Sequence, residues 1–247
     1  MKIVNVRASR QYDILIGADL LGTLGQCIAK VKTSCTAVII SDSNVWPLYG
    51  NKATESLETA GYHVLSFVFP AGEASKCADT YLEILAYLAD KKLTRSDMLI
   101  ALGGGVVGDI TGFAAATYLR GISYVQVPTS LLAMVDSSVG GKTAIDLPNG
   151  KNLVGAFYQP CLVLCDMDAL DSLPTDIFRD GCAEVIKYAI LYDTELFAHL
   201  EKFGLNFQRE YVISRCVELK RDVVDQDEFD TGARQFLNLG HTLGHGV

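Results

Sequence analysis

The chain has 247 residues, 49% hydrophobic and 20% charged, a composition typical of a soluble globular protein with its own core. The formal net charge of −8 argues against a nucleic-acid partner, although a local basic pocket for a small anion stays open. Seven cysteines, an odd number without a C-x-x-C pair, favour free thiols in a reducing cytoplasm over a disulfide framework.

The first 172 residues alternate between strand-like and helix-like segments. The opening runs KIVNV and YDILIG predict a β-hairpin and lack the apolar block of a signal peptide. The most apolar stretch, 99–119, contains three consecutive glycines and Asp109, which excludes a membrane span. This alternation predicts a parallel α/β sheet. Helical spacing covers 18–29, 45–60 and 76–90, and apolar strand-like runs cover 36–41, 63–69, 97–102 and 123–127.

The pattern changes near Leu173-Pro174, after which only helical periodicity is evident and Thr175 or Asp176 can cap the next helix. We therefore expect an α/β domain over 1–172 and an all-helical domain over 173–247. The final segment, 234–247, also has helical spacing. It lacks a polar tail or closing cap, so we expect the chain to be part of a longer protein.

A glycine-rich loop follows the strand-like run that ends at Leu102. It satisfies G-x-G-x-x-G from Gly103 to Gly108, which suits a pyrophosphate at a helix N-terminus. The acid expected about 20 residues later is absent, because the next strand ends in Pro128-Thr129-Ser130. Asp42, at the end of an earlier strand, is a candidate for a ribose. The motif favours dinucleotide binding, and close helix–strand packing without a ligand is the alternative.

A second glycine cluster, SSVGGKT at 137–143, ends like a P-loop. The full motif needs glycine where Asp136 stands, so an ATP-type P-loop is excluded. Lys142 beside two glycines still suits an anion.

Five segments together carry a more specific signal. They are PAGEASK (70–76), GGGVVGD (103–109), LRGISYVQVPTSLLAMVDSSVGGKTAIDLPNGKNLVGAFYQP (119–160), GCAEVIKYAI (181–190) and DEFDTGARQFLNLGHTLGH (227–245). Their order and spacing resemble the 3-dehydroquinate synthase family along essentially the whole chain. The resemblance implies a Rossmann-like NAD-binding α/β domain followed by an all-α metal-binding domain, with the active site between them. It also implies a cytoplasmic homodimer joined through the α/β domain.

The resemblance assigns roles to individual positions. Zinc, or cobalt, would be bound by Glu184 and His241, and His245 would be the general base. Asp230, where the family usually has Glu, would share the catalytic work with Lys142 and Asp136. The implied NAD contacts are Asp42, Asn44, Glu73, Lys76, Gly105, Val106, Val107, Gly108, Asp109, Thr129, Ser130, Lys142 and Lys151. The implied contacts to a sugar-acid phosphate are Arg120, Asp136, Lys142, Asn152, Lys187, Lys220, Arg234 and Asn238.

Without the resemblance, these residues leave alternatives open. His241 and His245 share one helix face, which suits a zinc site or an ordinary histidine pair. Glu184 could bind a metal or pair with Lys187 at i, i+3. Each basic residue alone is most simply a solvated surface charge, and only the resemblance implies that they converge.

The implied reaction uses NAD transiently. A secondary hydroxyl is oxidised, phosphate is eliminated, the hydride is returned, and an aldol step closes a carbocycle, so no net NADH accumulates. The family's third zinc ligand would fall beyond Val247, which predicts weak or absent metal binding by this chain. The alternatives are a related sugar phosphate cyclase, a metal-dependent polyol dehydrogenase that consumes NAD, and a non-catalytic NAD-binding fragment.

Overall fold

A computed structural model describes residues 1–240. Seven strands form one sheet in the order β1-β2-β9-β6-β5-β3-β4, and all neighbours are parallel except β1 and β2. This confirms the predicted parallel sheet with an N-terminal hairpin. The strands are β1 Lys2–Arg7, β2 Gln11–Gly17, β3 Thr36–Asp42, β4 His63–Phe69, β5 Met98–Gly103, β6 Ser123–Pro128 and β9 Leu162–Asp166.

Seven α-helices are found within the described range: α1 Leu24–Ala29, α2 Trp46–Thr59, α3 Ala78–Asp90, α4 Gly105–Thr117, α5 Thr175–Tyr192, α6 Thr194–Phe203 and α7 Arg209–Gln226. Two boundaries differ from the sequence-based expectation. The first predicted helix starts later, because Leu21–Thr23 form a separate 3-10 turn. The third also starts later, because Cys77 is extended after another turn at Glu73–Ser75.

A separate antiparallel hairpin, β7 Lys142–Leu147 and β8 Gly150–Phe157, was not predicted. Most of β8 is exposed, so it lacks the apolar alternation that marks a half-buried strand. The hairpin packs on α4 at Gly112, where a Cβ atom would lie 2.4 Å from Cγ2 of Thr143. The absent side chain therefore lets the hairpin approach the helix closely.

The sheet is covered on both faces. Helices α1 and α2 pack on one face, and α3 and α4 pack on the other over β3 and β5. Helices α5 and α7 extend this second layer over β1, β2 and β9, where Ile14 and Val163 meet Val185 and Val217. The α5–α7 layer thus stands beside α4 on the same face, with a cleft between them.

The region after Leu173 contains helices and no strand up to residue 240, as predicted. The part of the 234–247 segment that is described differs from the expected α-helix, since Ala233–Asn238 form a 3-10 helix and Leu239 leaves helical geometry. A single core cluster contains residues from both sides of the expected domain boundary, so the division into 1–172 and 173–247 stays a prediction. No helix within residues 1–240 is long and apolar enough to cross a membrane.

Candidate functional site

The carboxyl ends of β3 and β5, which are neighbours in the sheet, border a space that is here called the crevice. The chain leaves β3 toward β4 on one side and leaves β5 toward β6 on the other. Such a switch in strand order is the place where open α/β sheets bind ligands. Asp42, Gly103 and Pro128 end three adjacent strands here, so the loops that follow them all face this crevice.

The geometry of the glycine loop is compatible with both interpretations that the sequence left open, dinucleotide binding and close helix–strand packing. A Cβ atom on Gly103 would lie 2.5 Å from Cγ2 of Val107, so this glycine is needed for packing of α4 on the sheet. Gly104 and Gly105 have no such neighbour, since a Cβ on Gly104 would find Oγ of Ser130 as its nearest atom, at 3.5 Å. The first turn of α4 therefore presents its backbone N–H groups and positive dipole end beside small residues, a geometry that fits a pyrophosphate.

Other predicted cofactor residues lie at or after the carboxyl ends of β3 and β4. Asp42 accepts hydrogen bonds through Oδ1 from the N–H groups of Asn44 (2.8 Å) and Val45 (3.0 Å), which fixes the loop that enters α2. Glu73 pairs with Lys151 at 3.2 Å, so the loop after β4 touches the β7–β8 hairpin.

A cavity of about 620 Å³ lies in the cleft between α4, the β7–β8 hairpin and the helical layer. It gathers seven of the eight predicted substrate residues, which come from separate parts of the sequence. Arg120 is the exception, because it is exposed beyond the carboxyl end of α4, away from this cavity. The predicted residues that line the cavity are Asp136, Lys142, Asn152, Lys187, Lys220, Arg234 and Asn238, together with Asp109 from the cofactor group.

Asp136 is the centre of a hydrogen-bonded group of charged and polar side chains in the cavity wall. Its backbone lies in a π-helical turn, Ala133–Ser137. Lys220 donates to Oδ1 of Asp136 at 2.8 Å and to its main-chain oxygen at 2.5 Å, and the hydroxyl of Tyr188 donates to Oδ1 at 2.7 Å. Burial acts to raise the pKa of Asp136, but these two donors outweigh it and hold the pKa well below its ordinary value. Asp136 is thus an ionised carboxylate.

A second pair joins the cofactor crevice to the cavity. Lys76, which is buried, contacts Oδ2 of Asp109 at 2.5 Å and Oδ1 of Asn152 at 2.6 Å. Burial raises the pKa of Asp109 to about 6, although Lys76 opposes the shift. Two predicted cofactor residues, Lys76 and Asp109, are therefore linked directly to the predicted substrate residue Asn152.

Lys142 and Arg234 are held by the segment that follows α7. Lys142 contacts Oδ2 of Asp230 at 2.5 Å, so two of the predicted catalytic residues form an ion pair. Arg234 is almost fully buried and donates to the main-chain oxygens of Glu228 (2.5 Å) and Gly140 (3.0 Å). The side chains of Lys142 and Arg234, both predicted substrate contacts, are thus held in place by residues 228–230 and by Gly140.

The predicted metal ligand Glu184 forms an ion pair with Lys187, which also donates to the main-chain oxygen of Leu237 at 2.5 Å. Within the described residues no group of three His, Cys, Asp or Glu is placed to hold a metal ion. His241 and His245 lie outside the described residues, so the metal site and the general base stay predictions. The cysteines are free, as predicted.

Sequence reasoning missed Tyr188, although it follows the predicted residue Lys187 directly and lies one helical turn beyond Glu184. A tyrosine in an apolar helical stretch resembles an ordinary core residue. Only the structure shows that its hydroxyl meets Asp136, which is 52 residues away in sequence.

Comparison with known proteins gives consistent results over both parts of the chain. A family model described as 3-dehydroquinate synthase N-terminal matches residues 66–180, and one described as 3-dehydroquinate synthase C-terminal matches 181–247. The 3-dehydroquinate synthase of Clostridium acetobutylicum is 50% identical over 240 residues, which are 96% of this chain and 67% of that protein.

Solved structures of two related enzymes superpose closely. A 2-deoxy-scyllo-inosose synthase in complex with carbaglucose-6-phosphate, NAD+ and Co2+ has a TM-score of 0.90 at 26% identity, covering 100% of this chain and 68% of that one. The 2-epi-5-epi-valiolone synthase of Streptomyces hygroscopicus, with NAD+ and Zn2+ bound, has a TM-score of 0.86 at 28% identity, covering 96% and 68%.

Proposed function

We propose, because the chain belongs to the 3-dehydroquinate synthase family, that it converts 3-deoxy-D-arabino-heptulosonate 7-phosphate to 3-dehydroquinate and phosphate. The reaction oxidises the substrate transiently with NAD, eliminates phosphate, returns the hydride and closes the ring. It is a carbon–oxygen lyase of the shikimate pathway, acting in the cytoplasm. We further propose that the chain forms a homodimer through its α/β part.

One observation supports this proposal above the others. Four cationic side chains, Lys142, Lys187, Lys220 and Arg234, line a single cavity in a chain whose net charge is −8. The cavity adjoins the α4 N-terminus, which suits the pyrophosphate of NAD. A substrate that carries both a carboxylate and a phosphate matches such a cluster, and guanidinium and ammonium groups bind these anions well.

We assign NAD to the crevice, with its pyrophosphate on the N–H groups at Gly105, Val106 and Val107. When bound, NAD accepts a hydride from the substrate and later returns it. A divalent metal, Zn2+ or Co2+, would act as a Lewis acid on the substrate hydroxyl, with Glu184 and His241 as its proposed ligands.

The remaining roles follow from the state of each side chain. Asp136 is ionised and faces the cavity, so it can accept a hydrogen bond from a substrate hydroxyl. Lys142, which is partly exposed and paired with Asp230, can donate to a departing phosphate. We propose His245 as the general base and Arg120 as a further phosphate contact, both on the strength of family resemblance. One bound intermediate would pass through every step, so fixed geometry contributes much of the rate.

The test is to supply the seven-carbon keto-acid phosphate with catalytic NAD and added zinc, and to measure phosphate and NADH together. We expect many phosphates released per NAD and no accumulation of NADH. Accumulation of NADH in proportion to product would instead indicate a polyol dehydrogenase. NAD binding without phosphate release would indicate a non-catalytic NAD-binding fragment. Turnover of a different sugar phosphate would indicate a related cyclase.

A further inference from the structure

The segment 227–234, here called the 227–234 loop, carries Arg234 into the cavity wall and Asp230 into contact with Lys142, which lines the cavity. It is tied to the α/β part by the carboxylate of Glu228. This carboxylate accepts hydrogen bonds from the N–H of Ser9 (2.8 Å), from the Ser9 hydroxyl (2.6 Å) and from Nε2 of Gln159 (2.8 Å). Three donors on one ionised acceptor make a strong and directional contact. None of the roles assigned above includes Glu228, Ser9 or Gln159.

The 227–234 loop is also ordered internally. Asp227 accepts hydrogen bonds from the N–H groups of Thr231 (3.0 Å), Gly232 (2.7 Å) and Arg234 (3.1 Å). The main-chain oxygen of Glu228 accepts from Nη1 of Arg234 at 2.5 Å. These hydrogen bonds link the two ends of the loop, so a contact that holds Glu228 also holds Arg234.

The other side of this contact is the glycine turn that precedes Lys142. Gly140 and Gly141 both have positive φ, 90° and 66°. A Cβ on Gly140 would lie 2.4 Å from Nη2 of Arg234, and a Cβ on Gly141 would lie 2.7 Å from Cδ of Gln159. The turn is thus enclosed by Gln159, which donates to the carboxylate of Glu228, and by Arg234, which donates to the main-chain oxygen of Glu228. This explains the second glycine cluster without an ATP-type P-loop.

We propose that Glu228 is a positioning residue whose carboxylate docks the 227–234 loop on the β1–β2 turn and on Gln159. The docking places Asp230 against Lys142 and Arg234 against the Gly140–Gly141 turn. Its effect on turnover rests on the proposed function, whereas the docking contact itself does not.

The experiment compares Glu228→Gln with a matched control, Glu218→Gln. Glu218 lies in α7 and, like Glu228, contacts the N-terminal hairpin, in its case through Lys2 at 3.1 Å. It lies outside the 227–234 loop. In Glu228→Gln an amide nitrogen replaces one carboxylate oxygen; in the place of Oε2 it faces the N–H of Ser9, from which it cannot accept a hydrogen bond. We expect amide hydrogen exchange within 227–234 to accelerate roughly tenfold or more, since a hydrogen bond to a charged group is lost. Exchange in α7 should stay unchanged, and Glu218→Gln should match the wild type throughout.

Steady-state kinetics supply the readout that separates positioning from general stability. We expect Glu228→Gln to raise KM and to lower kcat, because Arg234 and the Lys142–Asp230 pair are displaced together. Ser9→Ala should show a smaller effect of the same kind, and Ser9→Thr, which keeps the hydroxyl, should restore it. If Glu228→Gln does not fold, the comparison of Ser9→Ala with Ser9→Thr tests the docking contact instead.

Wild-type exchange within 227–234 in both Glu228→Gln and Ser9→Ala would overturn the proposal. A lower melting temperature with unchanged KM and kcat would also overturn it, because it would show a merely structural role. A wild-type chain that releases no phosphate would count against the proposed function, while the exchange comparison would still decide the docking.

Discussion

The crevice at the strand ends and the cationic cavity meet at α4, and they are built differently. The crevice is formed by backbone N–H groups, small residues and exposed loop side chains held by the sheet. The cavity is formed by charged side chains that neutralise one another before any ligand arrives, such as Lys220 with Asp136 and Lys76 with Asp109. A site built from backbone should tolerate the loss of a single side chain, whereas a site built from buried ion pairs should not.

The largest effect is expected where a buried cation is removed. Lys220→Ala leaves Asp136 in the cavity wall without its counter-ion, and breaking such a pair typically costs about 3–5 kcal/mol of unfolding free energy. Urea denaturation should show a lower midpoint. The control is Lys52→Ala, which removes an exposed partner of Asp19 and should leave the midpoint unchanged. Equal midpoints for Lys220→Ala and the wild type would contradict this account of the cavity.

The Lys76–Asp109 pair predicts a pH-dependent difference between the wild type and Asp109→Asn. The folded-state pKa of Asp109 is about 6, above its ordinary value of 3.8, so between these values the folded chain binds the proton more tightly than the unfolded chain. Wild-type stability relative to Asp109→Asn should therefore fall as pH rises from about 4 to 6, by on the order of 3 kcal/mol. Urea unfolding of both proteins across this range measures it. If the difference in unfolding free energy between the two proteins did not change with pH, the pKa of Asp109 would not be raised in the folded chain.

Two glycines separate packing from binding in the crevice. Gly103→Ala forces a methyl group against Val107, and such overpacking typically costs about 1–3 kcal/mol. Gly104→Ala meets only ordinary contacts, so the fold should be kept, while the methyl group at the α4 N-terminus should weaken NAD binding. Thermal unfolding and NAD titration of both variants test this. Equal melting temperatures for Gly103→Ala and Gly104→Ala would show that Gly103 is not needed for the packing of α4 on the sheet.

The smallest expected effect concerns one hydroxyl group. Tyr188→Phe and the control Tyr62→Phe each delete a hydroxyl that donates one hydrogen bond, worth about 1 kcal/mol of stability. Of these two tyrosines only Tyr188 donates to Asp136, so only Tyr188→Phe should raise the pKa of Asp136. The pKa of Asp136, followed by NMR of its labelled carboxyl carbon, should then move up in that variant alone. The same shift in both variants would exclude a specific effect on Asp136.

The contrast between the two regions also explains what the sequence could predict. Strand periodicity and the glycines at 103–105 are local signals, and they correctly indicated the parallel sheet and the helix N-terminus at its edge. The partners within the cavity are distant in sequence, as Lys220 and Asp136 are 84 residues apart. Family resemblance named both residues, but their pairing, the hydroxyl of Tyr188 and the bond from Lys76 to Asn152 depend on tertiary packing. The β7–β8 hairpin was not predicted because its second strand is mostly exposed and lacks the apolar alternation of a half-buried strand.

The central claim is that the four cations of the cavity bind the phosphate-bearing substrate beside NAD in the crevice. The most direct measurement is a crystal structure of the chain with NAD and a phosphonate analogue of the seven-carbon substrate. We predict the NAD pyrophosphate at the N-terminus of α4 and the phosphonate in contact with cavity cations that include Lys142 and Arg234. A phosphonate bound elsewhere, or a pyrophosphate away from α4, would contradict the account.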